Sequence, residues 1–85
     1  MKVEHDPRHD TAYVTFAAGA SVRQVALGGG RVVDYAADGS ILGVEFLAPS
    51  RGLDLDGLPR PAEIARAARR QGLRVLPSRG AARAG

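Results

Sequence analysis

The 85-residue sequence predicts an α+β fold: a small antiparallel β-meander of about five strands, one C-terminal helix and a short terminal strand. Three observations support this class. Segments rich in β-branched and aromatic residues alternate with turn residues, their connections are too short for crossover helices, and the one helical pattern comes late in the chain. Consecutive strands usually pair with each other, which predicts the order of a meander.

The strands are predicted over residues 3–5, 11–16, 22–27, 31–35 and 41–47. Turn residues separate them: Asp before Pro7, a run of three glycines at 28–30, and an Asp-Gly pair whose glycine supplies the positive φ of a tight hairpin. We interpret one set of residues as structural turn and hairpin positions rather than as a site. The set is Asp6, Asp10, Asp34, Asp38, Gly39, Gly43 and Glu45.

The C-terminal third supplies the helix. After a connection at 52–60, the Ala- and Arg-rich segment from Pro61 to Gln71 is helical by propensity, and Gly72 suits a C-cap. Ile64, Ala65 and Ala68 share one stripe of this helix. Residues 73–76 alternate like a short strand. The sequence therefore predicts a single domain over residues 1–76 and a disordered tail over 77–85.

Apolar residues fall on both faces of the predicted sheet. Val14, Val33 and Val44 share one parity with their neighbours two residues away, whereas a second set has the opposite parity. That set is Tyr13, Val22, Val32, Ile41 and Leu47. The helix carries one bulky apolar residue, so it can cover only one face. Because a small domain without disulfides gains little from its own core, we expect a homodimer.

Charge is distributed unevenly along the chain. Residues 1–59 carry a net charge of −3, whereas residues 60–85 hold seven arginines and one glutamate, a net +6. We refer to residues 60–85 as the basic C-terminal arm; its charge favours binding to phosphates or to an acidic protein partner. The candidate partner-binding residues are Arg66, Arg69, Arg70 and Arg74, continued by Arg79 and Arg83. The alternative is a solvated helix face in an arginine-rich, alanine-rich sequence, and no aromatic residue accompanies these arginines to stack on bases.

Several classes of function find no support in the sequence. The absence of cysteine excludes disulfides and thiolate chemistry. Residues 5–10 hold two His and two Asp but suit a turn better than a metal site, so no metal or cofactor is predicted. Asp34, Asp38 and Glu45 lack a nucleophile and a group to orient it, which argues against an enzyme. No apolar run is long enough for a membrane span and no signal peptide is expected, so we expect a cytoplasmic protein.

Two stretches carry a family resemblance. Residues 6–13 fit the spacing D-x-x-x-D-x-x-Y, and residues 33–45 fit V-D-x-x-x-D-G-x-[hydrophobic]-x-G-[hydrophobic]-E. Over residues 1–51 the chain resembles the bacterial domain of unknown function 2283 family, although His5 stands where Tyr is common. The resemblance implies a compact β-rich fold without an assigned activity. It also implies an antitoxin-type role, because some members look like small partners of toxin-like proteins.

Two hypotheses of function follow. The first is a non-enzymatic interaction module that binds another protein through a sheet edge or the basic C-terminal arm. The alternative is a nucleic-acid-binding module that uses the same arginines on the phosphate backbone. Salt separates them, because phosphate contacts make binding fall steeply with ionic strength.

Overall fold

The computed structural model describes residues 1–78 of the chain. It consists of β1 (Lys2–Asp6), β2 (Thr11–Thr15), β3 (Arg23–Gly28), β4 (Arg31–Tyr35), β5 (Ile41–Leu47), a 3₁₀ turn (Pro49–Arg51) and α1 (Pro61–Arg70). All strand pairs are antiparallel. The α+β class, the five-stranded antiparallel sheet and the C-terminal helix are confirmed.

The order of the strands differs from a meander. It is β1-β2-β5-β4-β3, so β2 pairs with β5 and not with β3. After β2, the chain turns beside β5, where the N–H groups of Phe16 and Ala17 both donate to the Leu42 carbonyl. The prediction of sequential pairing is wrong at this point, because burial decides the order. β5 has buried residues at most positions and takes the centre, whereas β3 is mostly exposed and lies at an edge.

One face of the sheet carries the core. Its register aligns a row of five valines across all five strands: Val3, Val14, Val44, Val33 and Val25. The first four are buried, and Val25 at the edge is half-buried. Residues from the C-terminal third join the same cluster, namely Leu53, Leu58, Ile64, Ala68 and Leu73. The helix and its flanking segments therefore cover the valine row.

The opposite face is more polar than the alternation predicts. Ile41 packs against the core instead, because the register between β4 and β5 shifts beside it. Val22 precedes β3 and is exposed. Of the predicted apolar set, Tyr13 and Val32 are half-buried on this face, each opposite Glu45. The prediction of apolar residues on both faces is therefore wrong for Ile41, whereas Leu47, which shares the face of Tyr13, is 47% exposed.

The segment after α1 forms less structure than predicted. Ile64, Ala65 and Ala68 are the buried residues of α1, as the stripe predicts. The predicted strand at 73–76 is reduced to one parallel bridge between Leu53 and Val75. After the turn at 71–72, this segment lies beside residue 53 and not along an edge of the sheet. The hydrogen bonds therefore do not extend into a ladder.

The predicted tail lies mostly outside the described residues. Pro77 and Ser78 are exposed and have no regular structure, and residues 79–85, with Arg79 and Arg83, are not among the described residues. Within residues 1–78, no helix is long and apolar enough to cross a membrane.

Candidate functional site

Two of the motif aspartates organise local turns. The Asp6 carboxylate accepts the N–H groups of Arg8 and His9 at 3.1 and 3.2 Å and lies 2.8 Å from His9 Nδ1. Asp38 accepts the N–H of Ser40 at 3.0 Å and its hydroxyl at 2.7 Å, in a turn where Gly39 has a φ of 86°. Hydrogen bonds from His9 and from Ser40 lower the pKa of Asp6 and of Asp38, respectively. Both carboxylates stabilise turns in their charged form.

Asp10 connects the first hairpin to the end of β5. Its carboxylate accepts the Ser50 hydroxyl at 2.5 Å and the Ser50 N–H at 3.0 Å, and its carbonyl accepts the N–H of Ala48. These bonds to Ser50 lower the pKa of Asp10. The residue holds a φ of 51°, a conformation that Asp tolerates better than most residues. Residues far apart in sequence, 10 and 50, therefore close the β-rich part of the chain on itself.

A polar cluster lies on the face opposite the core. Asp34 on β4 accepts hydrogen bonds from the Tyr13 hydroxyl at 2.7 Å, from Gln24 Nε2 at 2.7 Å and from Ser21 Oγ at 3.4 Å. Asp34, which the sequence assigns to the structural hairpin positions, is only 9% exposed. A buried carboxylate needs such partners. The cluster links β2, β3 and β4 across the sheet.

Gly43 makes this cluster possible. A Cβ at position 43 would lie 2.3 Å from the Tyr13 hydroxyl oxygen and 2.5 Å from Cζ, far inside van der Waals contact. The Tyr13 side chain therefore crosses β5 where that strand has no side chain and reaches Asp34 on the next strand. Thus three motif positions, Tyr13, Asp34 and Gly43, form one packing unit.

Burial and hydrogen bonding in the cluster shift the pKa values of Tyr13 and Asp34 in opposite directions. Burial, and then the hydrogen bond to Asp34 and the charges of Asp34 and Glu45, raise the pKa of Tyr13 to about 12. Burial would raise the pKa of Asp34, but the hydrogen bonds from Tyr13, Gln24 and Ser21 outweigh it and lower that pKa. Near neutral pH the tyrosine is a donor and the aspartate is an acceptor whose oxygens are already bonded. Glu45, opposite Tyr13, remains half-buried beside them.

Sequence reasoning missed Arg31. Only 6% of it is exposed, and it donates to the carbonyls of Gly28, Asp54 and Asp56, with Nη2 at 3.8 Å from Asp54 Oδ2. This side chain joins the start of β4 to the connection that leads into α1. The sequence did contain a signal that Arg31 is buried: it stands at the start of an apolar strand, directly after three glycines. A buried arginine needs several acceptors, and backbone carbonyls supply them here.

An apolar groove of about 530 Å³ lies between α1, the connection before it and the segment after it. Leu55, Leu58, Ala65, Val75 and Leu76 supply apolar side chains to its lining. Arg69 and Asp56 line it as well, so the apolar surface has charged neighbours. We refer to this feature as the α1 groove. A mostly apolar concave surface with few polar groups is typical of a binding site.

The four candidate partner-binding arginines do not form one cluster, and they differ in their relation to this groove. Arg66, Arg69 and Arg70 are exposed on α1, and among the described residues none of them forms an ion pair. Arg69 lines the α1 groove, whereas Arg66 and Arg70 lie with Glu63 on the side that approaches Met1. Arg74 donates to the Arg51 carbonyl at 3.1 Å. Thus Arg69 alone of the four lines the apolar surface.

The His- and Asp-rich turn shows no ligand arrangement. Within residues 1–78, no group of three or more His, Asp or Glu side chains is placed to hold a metal ion. His9 bonds Asp6, and His5 is half-buried on β1. The geometry is that of a turn.

Comparison with known proteins bears on residues 2–50, which match the family model described as protein of unknown function (DUF2283). No curated protein and no solved structure matches the chain. The matched range ends at Ser50, the residue that Asp10 binds, and it contains Tyr13, Asp34 and Gly43. Since the model covers more than half of the 85 residues, the chain belongs to the DUF2283 family.

Proposed function

We propose that this protein is a non-enzymatic interaction module that binds a protein segment in the α1 groove. The observation that carries the proposal is the apolar lining of the groove beside Arg69. A partner segment with apolar side chains and a nearby carboxylate fits this surface, because Arg pairs bidentately with carboxylates. An antitoxin-like role, in which the segment belongs to a toxin-like protein in the cytoplasm, is the specific form that we propose.

The charges of the module support an acidic partner. Arg66 and Arg70 extend the positive surface of α1 away from the groove, and Glu63 is the one acidic residue of that helix. An acidic partner would be attracted over a distance of about 10 Å at moderate salt. The Asp34 carboxylate already accepts hydrogen bonds from Tyr13 and Gln24, so we assign that cluster a structural role and not a catalytic one.

Nucleic-acid binding is the second candidate, favoured by the three exposed arginines of α1 that lack ion pairs among residues 1–78. It does not use the apolar side chains of the groove, so the two candidates predict different effects of groove substitutions. Loss of three phosphate contacts would reduce the slope of log K against log salt by about 3.

The test uses the full chain as bait in a nuclease-treated lysate of its native cell, followed by titration of the purified pair. The proposal expects one protein partner, lost in L76S, a groove variant, and weakened in the triple variant R66Q/R69Q/R70Q. The triple variant R8Q/R23Q/R51Q, with the same change in net charge, is the matched control and should retain the partner. A partner that L76S still binds with unchanged affinity contradicts the groove.

A parallel titration with mixed-sequence duplex DNA and single-stranded RNA tests the second candidate. Tight, strongly salt-dependent binding that R66Q/R69Q/R70Q abolishes and L76S leaves intact would favour the nucleic-acid candidate over the protein-binding one. Weak binding that the two triple variants share would leave only nonspecific attraction between charges.

A further inference from the structure

The two edges of the sheet are protected differently. On β1, three of five residues are charged, namely Lys2, Glu4 and Asp6, and α1 packs against this strand. β3 has one charged residue, Arg23, and pairs with β4 on one side only. Five of its six residues are exposed. The register of β3 on β4 shifts between Ala26 and Gly28, so residues 23–26 are the regular part of this edge. An edge strand with few charges is a template for another strand.

We propose that a second copy of this chain occupies the β3 edge, in an antiparallel two-fold pairing that places Val25 opposite Val25 of the second copy. Two five-stranded sheets would then form one continuous sheet. This inference goes beyond the proposed function, since β3 contributes no residue to the α1 groove.

The direction of the backbone groups defines which residues can pair. The N–H of Leu47 on β5 donates to the Gly30 carbonyl, so this carbonyl points to β5. Backbone groups of successive residues in an antiparallel strand point to alternate sides, so the N–H and C=O of Val33 point to β3. Val33 is paired with Val25, whose N–H and C=O therefore face β4. The neighbouring residues, Gln24 and Ala26, direct their N–H and C=O groups to the free edge.

Only one symmetric register uses both of these residues. With Val25 at the two-fold axis, Gln24 lies opposite Ala26 of the second copy, and the two such pairs exchange four hydrogen bonds. A register centred on Gln24 or on Ala26 aligns one such pair instead of two. A register centred on Arg23 would place two arginines opposite each other, which is unfavourable. The Val25-centred register places Arg23 opposite Leu27.

The side chains agree with this register. Val25 ends the valine row of the core face, so a Val25–Val25 contact would continue that row into the second copy. Val22 and Leu27, on either side of it, are 63% and 39% exposed. Pairing of the two edges would bury part of this apolar surface, which is the driving force that an isolated strand pair lacks.

The first experiment compares oligomeric states by light scattering at micromolar concentration. We expect twice the chain mass of 8.9 kDa for the wild type and a single chain mass for A26P. Proline at position 26 removes an N–H that faces the free edge, which an edge strand tolerates. A37P, in the exposed β4–β5 turn, is the control and should remain dimeric. A wild-type monomer, or a folded A26P that stays dimeric, overturns the proposal.

The second experiment tests the register without disturbing the backbone. The chain has no cysteine, so single variants give a clean readout by oxidation. In the proposed register the two copies of V25C lie within disulfide range, about 4.5 Å between Cα atoms. Position 22 is more exposed but lies several residues from its symmetry mate. We expect at least tenfold faster cross-linking for V25C than for V22C; equal rates overturn the register.

Discussion

At the scale of single residues, positions from the two stretches that carry the family resemblance pack against each other. Tyr13 lies over Gly43 and donates to Asp34, so three residues from three strands specify one arrangement. The hydrogen bond from Ser50 to Asp10 likewise connects the turn before β2 to the segment that follows β5. Position 43 does not have a positive φ, so backbone conformation does not require glycine there. Glycine is required because the Tyr13 ring lies too close to leave room for a Cβ.

The first prediction concerns this contact. We expect G43A to lower the free energy of unfolding by about 2 kcal/mol, because the added Cβ displaces the Tyr13 ring. In a Y13A background the same substitution should cost less than about 1 kcal/mol, since the ring is gone. Urea unfolding of the four proteins measures the coupling. Equal costs in both backgrounds would show that the ring and the glycine do not interact.

The second prediction concerns the protonation of Tyr13. In a Y35F variant, in which Tyr13 is the one remaining tyrosine, ultraviolet titration should give a midpoint at about 12 instead of the ordinary 10.0. Because the folded-state pKa is raised, this contribution to stability is complete below the unfolded pKa and is lost as the pH rises through the folded value.

D34N supplies the control for this titration. It should lower the midpoint, since it removes the charge that opposes tyrosinate, and yet leave it above 10.0, since burial remains. Circular dichroism at each pH establishes that the titrated species is folded. A Y35F midpoint at 10.0 would contradict both the burial of Tyr13 and its hydrogen bond to Asp34.

At the scale of elements, a buried arginine connects the sheet to the C-terminal third. Arg31, at the start of β4, bonds three carbonyls, two of which belong to the connection before α1. The helix itself buries one bulky residue, Ile64, with two alanines. A helix with so little apolar surface needs a second attachment, and Arg31 provides it by holding the segment that leads into it.

The third prediction follows from this attachment. R31M should lower the free energy of unfolding by about 2–4 kcal/mol, because it removes the buried donor to three carbonyls and the cation that lies beside the Asp54 carboxylate. R23M, on exposed β3, is the matched control and should change it by less than about 1 kcal/mol; Arg23 only stacks on the Tyr35 ring there. Denaturant unfolding measures both. Similar losses in the two variants would contradict the role given to Arg31.

At the scale of the whole molecule, the part matched by the family model is incomplete as a folding unit. Residues 2–50 form the sheet, but Val14, Val44 and Phe46 are buried by Leu53, Leu58, Ile64 and Leu73, which lie beyond residue 50. Without them, one face of the sheet would expose its core. The C-terminal third therefore serves both as a cover for the core and as a wall of the α1 groove.

The fourth prediction concerns this dependence. A fragment of residues 1–51 should not unfold cooperatively on heating and should bind a dye specific for exposed apolar surface, whereas the full chain should unfold cooperatively. Circular dichroism and dye fluorescence measure the difference. A fragment with a cooperative transition and no dye binding would show that the sheet is stable without its cover.

The sequence determined the local elements and their class. Strand segments, the Asp38–Gly39 turn and the buried stripe of α1 follow from period, turn chemistry and propensity, which act over a few residues. The two stretches that carry the family resemblance contain Tyr13, Asp34 and Gly43, which interact in the structure. What they do for one another was not visible, because the alternation of a strand does not say which strand lies beside it.

Three features follow from tertiary packing: the pairing of β2 with β5, the burial of Asp34 and Arg31, and the single bridge that replaces a terminal strand. Each depends on contacts between residues distant in the chain, where the competition among strands for the most buried position selects the order. The two edges of the sheet also differ for this reason: β1 carries three charged residues and contacts α1, whereas β3 carries one charged residue. An edge exists only once the strand order is set, and that order is a property of the packed sheet.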